Sequence, residues 1–104
     1  MHKDTKLAQA LGQHCQQTGA VVPPIHVGTS YVRDDKYQKT QGRAYIRDEN
    51  PNYDALETLL CDLEGAQDCM VYPSGSAAYS HIFQCLPPRS RVIVQKQIYF
   101  GMAE

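Results

Sequence analysis

Tyr72-Pro73-Ser74-Gly75-Ser76-Ala77-Ala78 is the stretch on which the reading of this chain turns. An apolar run (Cys69, Met70, Val71, Tyr72) breaks at Pro73, small residues follow, and then a helical pattern begins. That order predicts a strand, a tight turn and a helix N-terminus. Backbone N–H groups without intrahelical partners and the positive end of the helix dipole meet at such a turn and favour an anion. Gly75 lets a ligand come close to the backbone. The N–H groups of Gly75 and Ser76, with a serine hydroxyl from Ser74 or Ser76, would hold a phosphate. Taken alone, the turn reads more readily as an ordinary N-capped helix after a tight turn.

Working outward, a helix is predicted over 76–86, with Ala78, Ile82, Phe83 and Leu86 apolar, and Pro87-Pro88 stop it. A strand is predicted at 68–72 and a second at Arg91-Val92-Ile93-Val94-Gln95. Strand, helix and strand of these lengths make a βαβ unit with parallel strands. Upstream, 51–64 is the clearest helix. Asn50 suits the N-cap and Pro51 the first helical position. Leu56, Leu59, Leu60 and Leu63 fall on one face, and Gly65 suits the C-terminal cap. Residues 4–17 read either as a further short helix, capped by Asp4 or Thr5 and ended by Gly19, or as an arm packed on a partner. Val21-Val22-Pro23-Pro24-Ile25 must be extended, because proline restricts the residue before it. Residues 26–49 show little periodicity and read as a structureless run, which fits a segment lying across another subunit.

The 104 residues suffice for one small domain. The net charge of −1 gives no electrostatic case for nucleic acid or an acidic membrane surface. No apolar stretch reaches the length that spans a bilayer. The first residues lack the apolar core of a signal peptide, so the expectation is a cytoplasmic protein. Cys15, Cys61, Cys69 and Cys85 form no CxxC pair, and the histidines are scattered. No metal site is therefore expected.

Two more places could carry chemistry. Tyr45 and Arg47 flank one residue and share a side if the segment is extended. An arginine fork beside a phenol is a phosphate clamp, although a solvated loop charge beside a surface tyrosine also fits. Tyr99 lies just past the second predicted strand, at the sheet edge where ligands bind in open α/β sheets. It could stack on a planar ring or serve as a packing aromatic. Lys96 could bond to an aldehyde cofactor, but nothing apolar surrounds it, and it reads as a surface lysine.

Taken in order, Tyr45-x-Arg47 with Asn50-Pro51, Leu63-Glu64-Gly65, Ser74-Gly75-x-Ala77-Ala78 and Tyr99-x-Gly101 resemble one family, as does Val22-Pro23-Pro24-Ile25 upstream. It is the pyridoxal-phosphate enzymes of cysteine and methionine metabolism. They include cystathionine gamma-synthase, the cystathionine lyases, methionine gamma-lyase and the homoserine-ester sulfhydrylases. The resemblance runs from about residue 19 to the end of the sequence. Ser76 stands where methionine is usual. Phe100 and Met102 replace a glycine and a threonine.

The resemblance implies an α/β fold. Residues 1–50 would be a largely extended N-terminal arm. Residues 51–104 would begin the large, cofactor-binding domain of a fold type I enzyme, a parallel sheet with flanking helices, here incomplete. It implies the cofactor pyridoxal 5′-phosphate. Ser74, Gly75 and Ser76 would hold the phosphate within one subunit, and Tyr45 and Arg47 would hold that of the neighbour. Tyr99 would stack on the pyridine ring and help transfer protons. The complete form would be a dimer with shared active sites, assembled into a homotetramer. It would act on a sulfur amino acid or an activated homoserine in transsulfuration and methionine biosynthesis, by gamma-replacement or by beta- or gamma-elimination. The lysine that holds the cofactor is expected beyond Glu104, so these 104 residues alone are expected to be inactive. From a different class, a small non-catalytic phosphate-binding βαβ module also accounts for the Ser-Gly-Ser turn.

Overall fold

Among the described residues three α-helices form: α1 (Lys3–Ala8), α2 (Pro51–Glu64) and α3 (Gly75–Gln84). The computed structural model describes residues 1–103. It divides into two units, Met1–Met70 and Val71–Glu104, and each is described by itself.

In the first unit, α2 begins and ends where its sequence places it. The Asn50 side chain accepts from the Asn52 N–H at 2.9 Å, and Pro51 stands in the first turn. Gly65 ends the helix in the left-handed conformation (φ 64°), where a side chain would be strained. Leu59 is buried. Leu60 and Leu63 are half-buried and Leu56 is exposed, so the apolar face is only partly covered.

The helix expected over 4–17 is cut short. Ala10, Leu11 and Gly12 take φ values of 44°, 60° and 78°, and left-handed residues cannot continue a right-handed helix. A short 3-10 turn, Ala10–Gly12, stands there instead. The cap is His2, whose ring nitrogen accepts from the Asp4 N–H, rather than Asp4 or Thr5. Beyond the break, Gln13 Nε2 donates to Ala55 O of α2 at 3.3 Å, and Cys15 is buried. Lys6 pairs with Asp62, which ties α1 to α2.

Residues 26–49 are not structureless. They fold back on themselves in a loose hairpin. Ile46 N donates to Thr29 O (3.0 Å) and Tyr31 N to Ala44 O (3.3 Å). Antiparallel bridges join Ser30 to Tyr45 and Arg33 to Lys39. Asp34 closes the tip, its carboxylate accepting from the N–H groups of Lys36 and Gln38. This side-chain turn needs no hydrophobic periodicity. Two polar contacts fasten the region to α2. Arg43 pairs with Asp54 at 2.6 Å. The Asn52 amide pairs both ways with the His26 backbone, at 2.8 and 2.7 Å.

In the second unit, α3 begins at Gly75, one residue before the expected start, and ends at Gln84, before Pro87-Pro88. The Ser74 hydroxyl accepts from the Ala77 N–H at 3.1 Å. The two expected strands are not formed: residues 68–72 and 91–95 belong to no strand, and the bridges among the described residues lie elsewhere. A βαβ unit is therefore absent from the described residues. The reason is physical. A strand exists only through its ladder, and a parallel ladder is stable when neighbouring strands and covering layers surround it. Ile93 is 99% exposed instead.

Candidate functional site

The second unit builds a cleft from two pieces of chain. The first five residues of α3 contribute Gly75, Ser76 and Tyr79, and the turn at 99–102 contributes Tyr99 and Met102. The cleft holds about 400 Å³, within the range of small-molecule sites, roughly 300–1,000 Å³. Ser74 Oγ takes the Ala77 N–H, and Ser74 O takes that of Ala78. Gly75 and Ser76 precede them in the turn, where a helix provides no acceptor of its own. A Cβ at Gly75 would meet nothing within 4 Å, so its backbone faces open space. The cleft is thus lined both by residues of the α3 N-terminus and by the exposed Tyr99. A phosphate joined to a planar ring fits that pair of features.

The turn at 99–102 is tightly held. The Tyr79 hydroxyl lies 2.6 Å from Gly101 O and 3.2 Å from Ser76 Oγ. Met102 N donates to Tyr99 O at 2.9 Å. A Cβ at Gly101 would stand 2.8 Å from Tyr99 Cε1, so only glycine leaves the ring its position. The Tyr99 and Phe100 rings lie 4.6 Å apart.

Tyr45 and Arg47 come together in the first unit, although not through an extended segment. Tyr45 O accepts from the N–H groups of Asp48 and Glu49, so the chain turns here. The turn brings the Arg47 guanidinium carbon to 4.9 Å from the centre of the Tyr45 ring, a cation–π contact. Arg47 is exposed, and among the described residues it pairs with no carboxylate. Its neighbours differ. Glu49 pairs with Lys39 and accepts from the Ala44 N–H, and these bonds hold its carboxyl below the usual glutamate range. Asp54 keeps the Arg43 guanidinium strongly protonated. Arg47 is thus left with charge to offer a ligand.

The predicted site residues therefore form two groups: Tyr45 with Arg47 in one unit, and Ser74, Gly75, Ser76 and Tyr99 in the other. Lys96 is exposed and does not line the cleft. Tyr79 was not singled out from sequence. The signal for it is spacing, since i and i+3 share a helix face and Ser76 and Tyr79 stand three apart.

The family model described as Cys/Met metabolism PLP-dependent enzyme matches residues 4–104. The chain is 34% identical over 100 residues to a cystathionine beta-lyase of Coxiella burnetii, covering 96% of this chain and 26% of that protein. It is 32% identical over 90 residues to a cystathionine gamma-lyase of Saccharomyces cerevisiae (86% and 23%). It is 31% identical over 100 residues to a Bacillus subtilis cystathionine gamma-synthase/O-acetylhomoserine (thiol)-lyase (96% and 26%). The chain spans about a quarter of the length of these relatives.

Proposed function

The chain belongs to the pyridoxal-phosphate-dependent enzymes of Cys/Met metabolism, and on that premise we propose that it is the cofactor-cradling segment of a transsulfuration enzyme. The observation that carries this reading is the single cleft shared by the α3 N-terminus and the Tyr99 ring. Residues 1–50 serve as the arm, and 51–104 open the cofactor-binding domain. The Gly75 and Ser76 N–H groups grip the phosphate. The Ser74 hydroxyl, already an acceptor for Ala77, keeps its own proton to donate. Tyr99 packs against the cofactor ring and orients it, and its Oη can hold or pass a proton at the substrate side. Tyr45 and Arg47 reach the phosphate in a neighbouring copy, within a dimer that pairs into a tetramer. Pyridoxal phosphate supplies the electron sink for carbanion chemistry when bound.

The substrate is a sulfur amino acid or an activated homoserine, and gamma-replacement is the reaction we favour. No helix among the described residues is long and apolar enough to cross a membrane; a cytoplasmic location is part of the proposal. On this proposal these 104 residues by themselves do not complete the reaction. The alternative is a self-contained phosphate-binding βαβ module, whose two strands are not formed among the described residues. The test gives the chain pyridoxal phosphate, an activated homoserine and cysteine. No turnover above free cofactor is expected from the 104 residues alone. Turnover is expected when they replace the matching quarter of a relative. A folded hybrid that fails to retain the cofactor would overturn the reading.

A further inference from the structure

Tyr79 sits where two pieces of the cleft meet, and its hydroxyl has one proton to give. Gly101 O lies 2.6 Å away and can only accept. The Tyr79 proton therefore goes to Gly101 O. The 3.2 Å contact to Ser76 Oγ is then made by the Ser76 hydroxyl donating to Tyr79 Oη. This relay joins the first turn of α3 to the turn that carries Tyr99. It also commits the Ser76 hydroxyl proton, so Ser76 has its backbone N–H for an anion rather than its side chain. Each side of the joint has its own packing: within α3 the Tyr79 ring lies 6.3 Å from that of Phe83, and within the turn Gly101 has no room for a Cβ against the Tyr99 ring.

We infer that Tyr79 is a positioning residue, a strap that fixes the Tyr99 ring relative to the anion-binding turn Ser74-Gly75-Ser76. The inference rests on the proposed cradle and deepens it. Phe100 and Met102 flank the strapped carbonyl, and the bond from α3 holds this turn through its backbone, whatever those two side chains are.

The test compares the 104-residue chain with Tyr79→Phe, which keeps the ring and removes the hydroxyl. The first readout is NMR without ligand. Expected are unchanged α3 carbon shifts, a displaced Gly101 carbonyl shift, and loss of the cross-peaks between the residue-79 ring and Gly101. Retention of those cross-peaks, or their absence from the unmodified chain, would overturn the strap. The second readout is titration with inorganic phosphate. The Gly75 and Ser76 amides should respond in both proteins, and the Tyr99 ring in the unmodified chain only. A Tyr99 response that persists in Tyr79→Phe would overturn the positioning role. If no amide in the turn responds in either protein, the cradle reading fails, while the ligand-free comparison still decides the strap. Should Tyr79→Phe not fold, Gly101→Ala supplies the converse. Its methyl must displace the Tyr99 ring with the Tyr79 hydroxyl intact, and an unmoved ring there would overturn the inference.

Discussion

Replacing Ser74 tests whether its hydroxyl serves the helix or the ligand. Its Oγ accepts from the Ala77 N–H at 3.1 Å. Removing such a cap costs about 0.5–2 kcal/mol. Ser74 is exposed and its bond lies at the long end of the usual range, so the lower half applies: about 0.5–1 kcal/mol, or a roughly 2- to 5-fold fall in helix population. Such a fall matters here. The helix α3 has ten residues and none is buried, and helices this short are marginal without packing. Carbon-13 shifts over residues 77–84 should therefore move toward coil in Ser74→Ala. Ser74→Gly loses only a few tenths of a kcal/mol as a cap and should keep most of the helix. Ser74→Asp caps as well as serine but places a negative charge at the anion site. It should keep α3 and abolish phosphate shifts at Gly75 and Ser76. If Ser74→Ala leaves the helix intact, or Ser74→Asp still takes phosphate, the capping and cradle reasoning is wrong.

Other outcomes follow from the first unit. Leu59→Ala should cost about 2–5 kcal/mol, since Leu59 and Cys15 are its buried hydrophobic residues. Thermal unfolding followed by circular dichroism checks this, and an unchanged midpoint would contradict it. Asn52→Ala should free the His26 backbone from α2, read as loss of hydrogen-exchange protection at the His26 amide, whereas retained protection would show another tether. The Glu49 carboxyl is held below the usual glutamate range, first by Lys39 and then by the Ala44 N–H. A depressed carboxyl stabilises the folded form above its unfolded pKa, and that contribution disappears as pH falls through the lower, folded value. The Ala44 amide shift should therefore titrate with a midpoint below the ordinary glutamate range. A midpoint at or above that range would contradict the bond.

The features legible from sequence are those decided by neighbouring residues. Asn50, Pro51 and Gly65 set both ends of α2 through a local side-chain cap and local backbone geometry, and Ser74 caps α3, which starts at Gly75, one residue before the expected start. The features that were missed depend on distant chain. The left-handed residues that end α1 stand before a contact from Gln13 to α2, 42 positions on. The expected strands at 68–72 and 91–95 have the apolar pattern of strands, yet β-structure needs partners that a local pattern does not specify. The turn of chain at Tyr45 replaced the expected extension and still placed Arg47 beside the ring. Tyr79 is not legible from its neighbours because its partner is Gly101, 22 residues away.

The most direct measurement uses pyridoxine 5′-phosphate, which has the cofactor's ring and phosphate but no aldehyde to react with surface lysines. Added to the isotope-labelled chain, it should shift the Gly75 and Ser76 amides and the Tyr99 ring together, and pyridoxine without phosphate should shift none of them. Shifts confined to other residues, or an equal response to both compounds, would contradict a phosphate cradle at the start of α3.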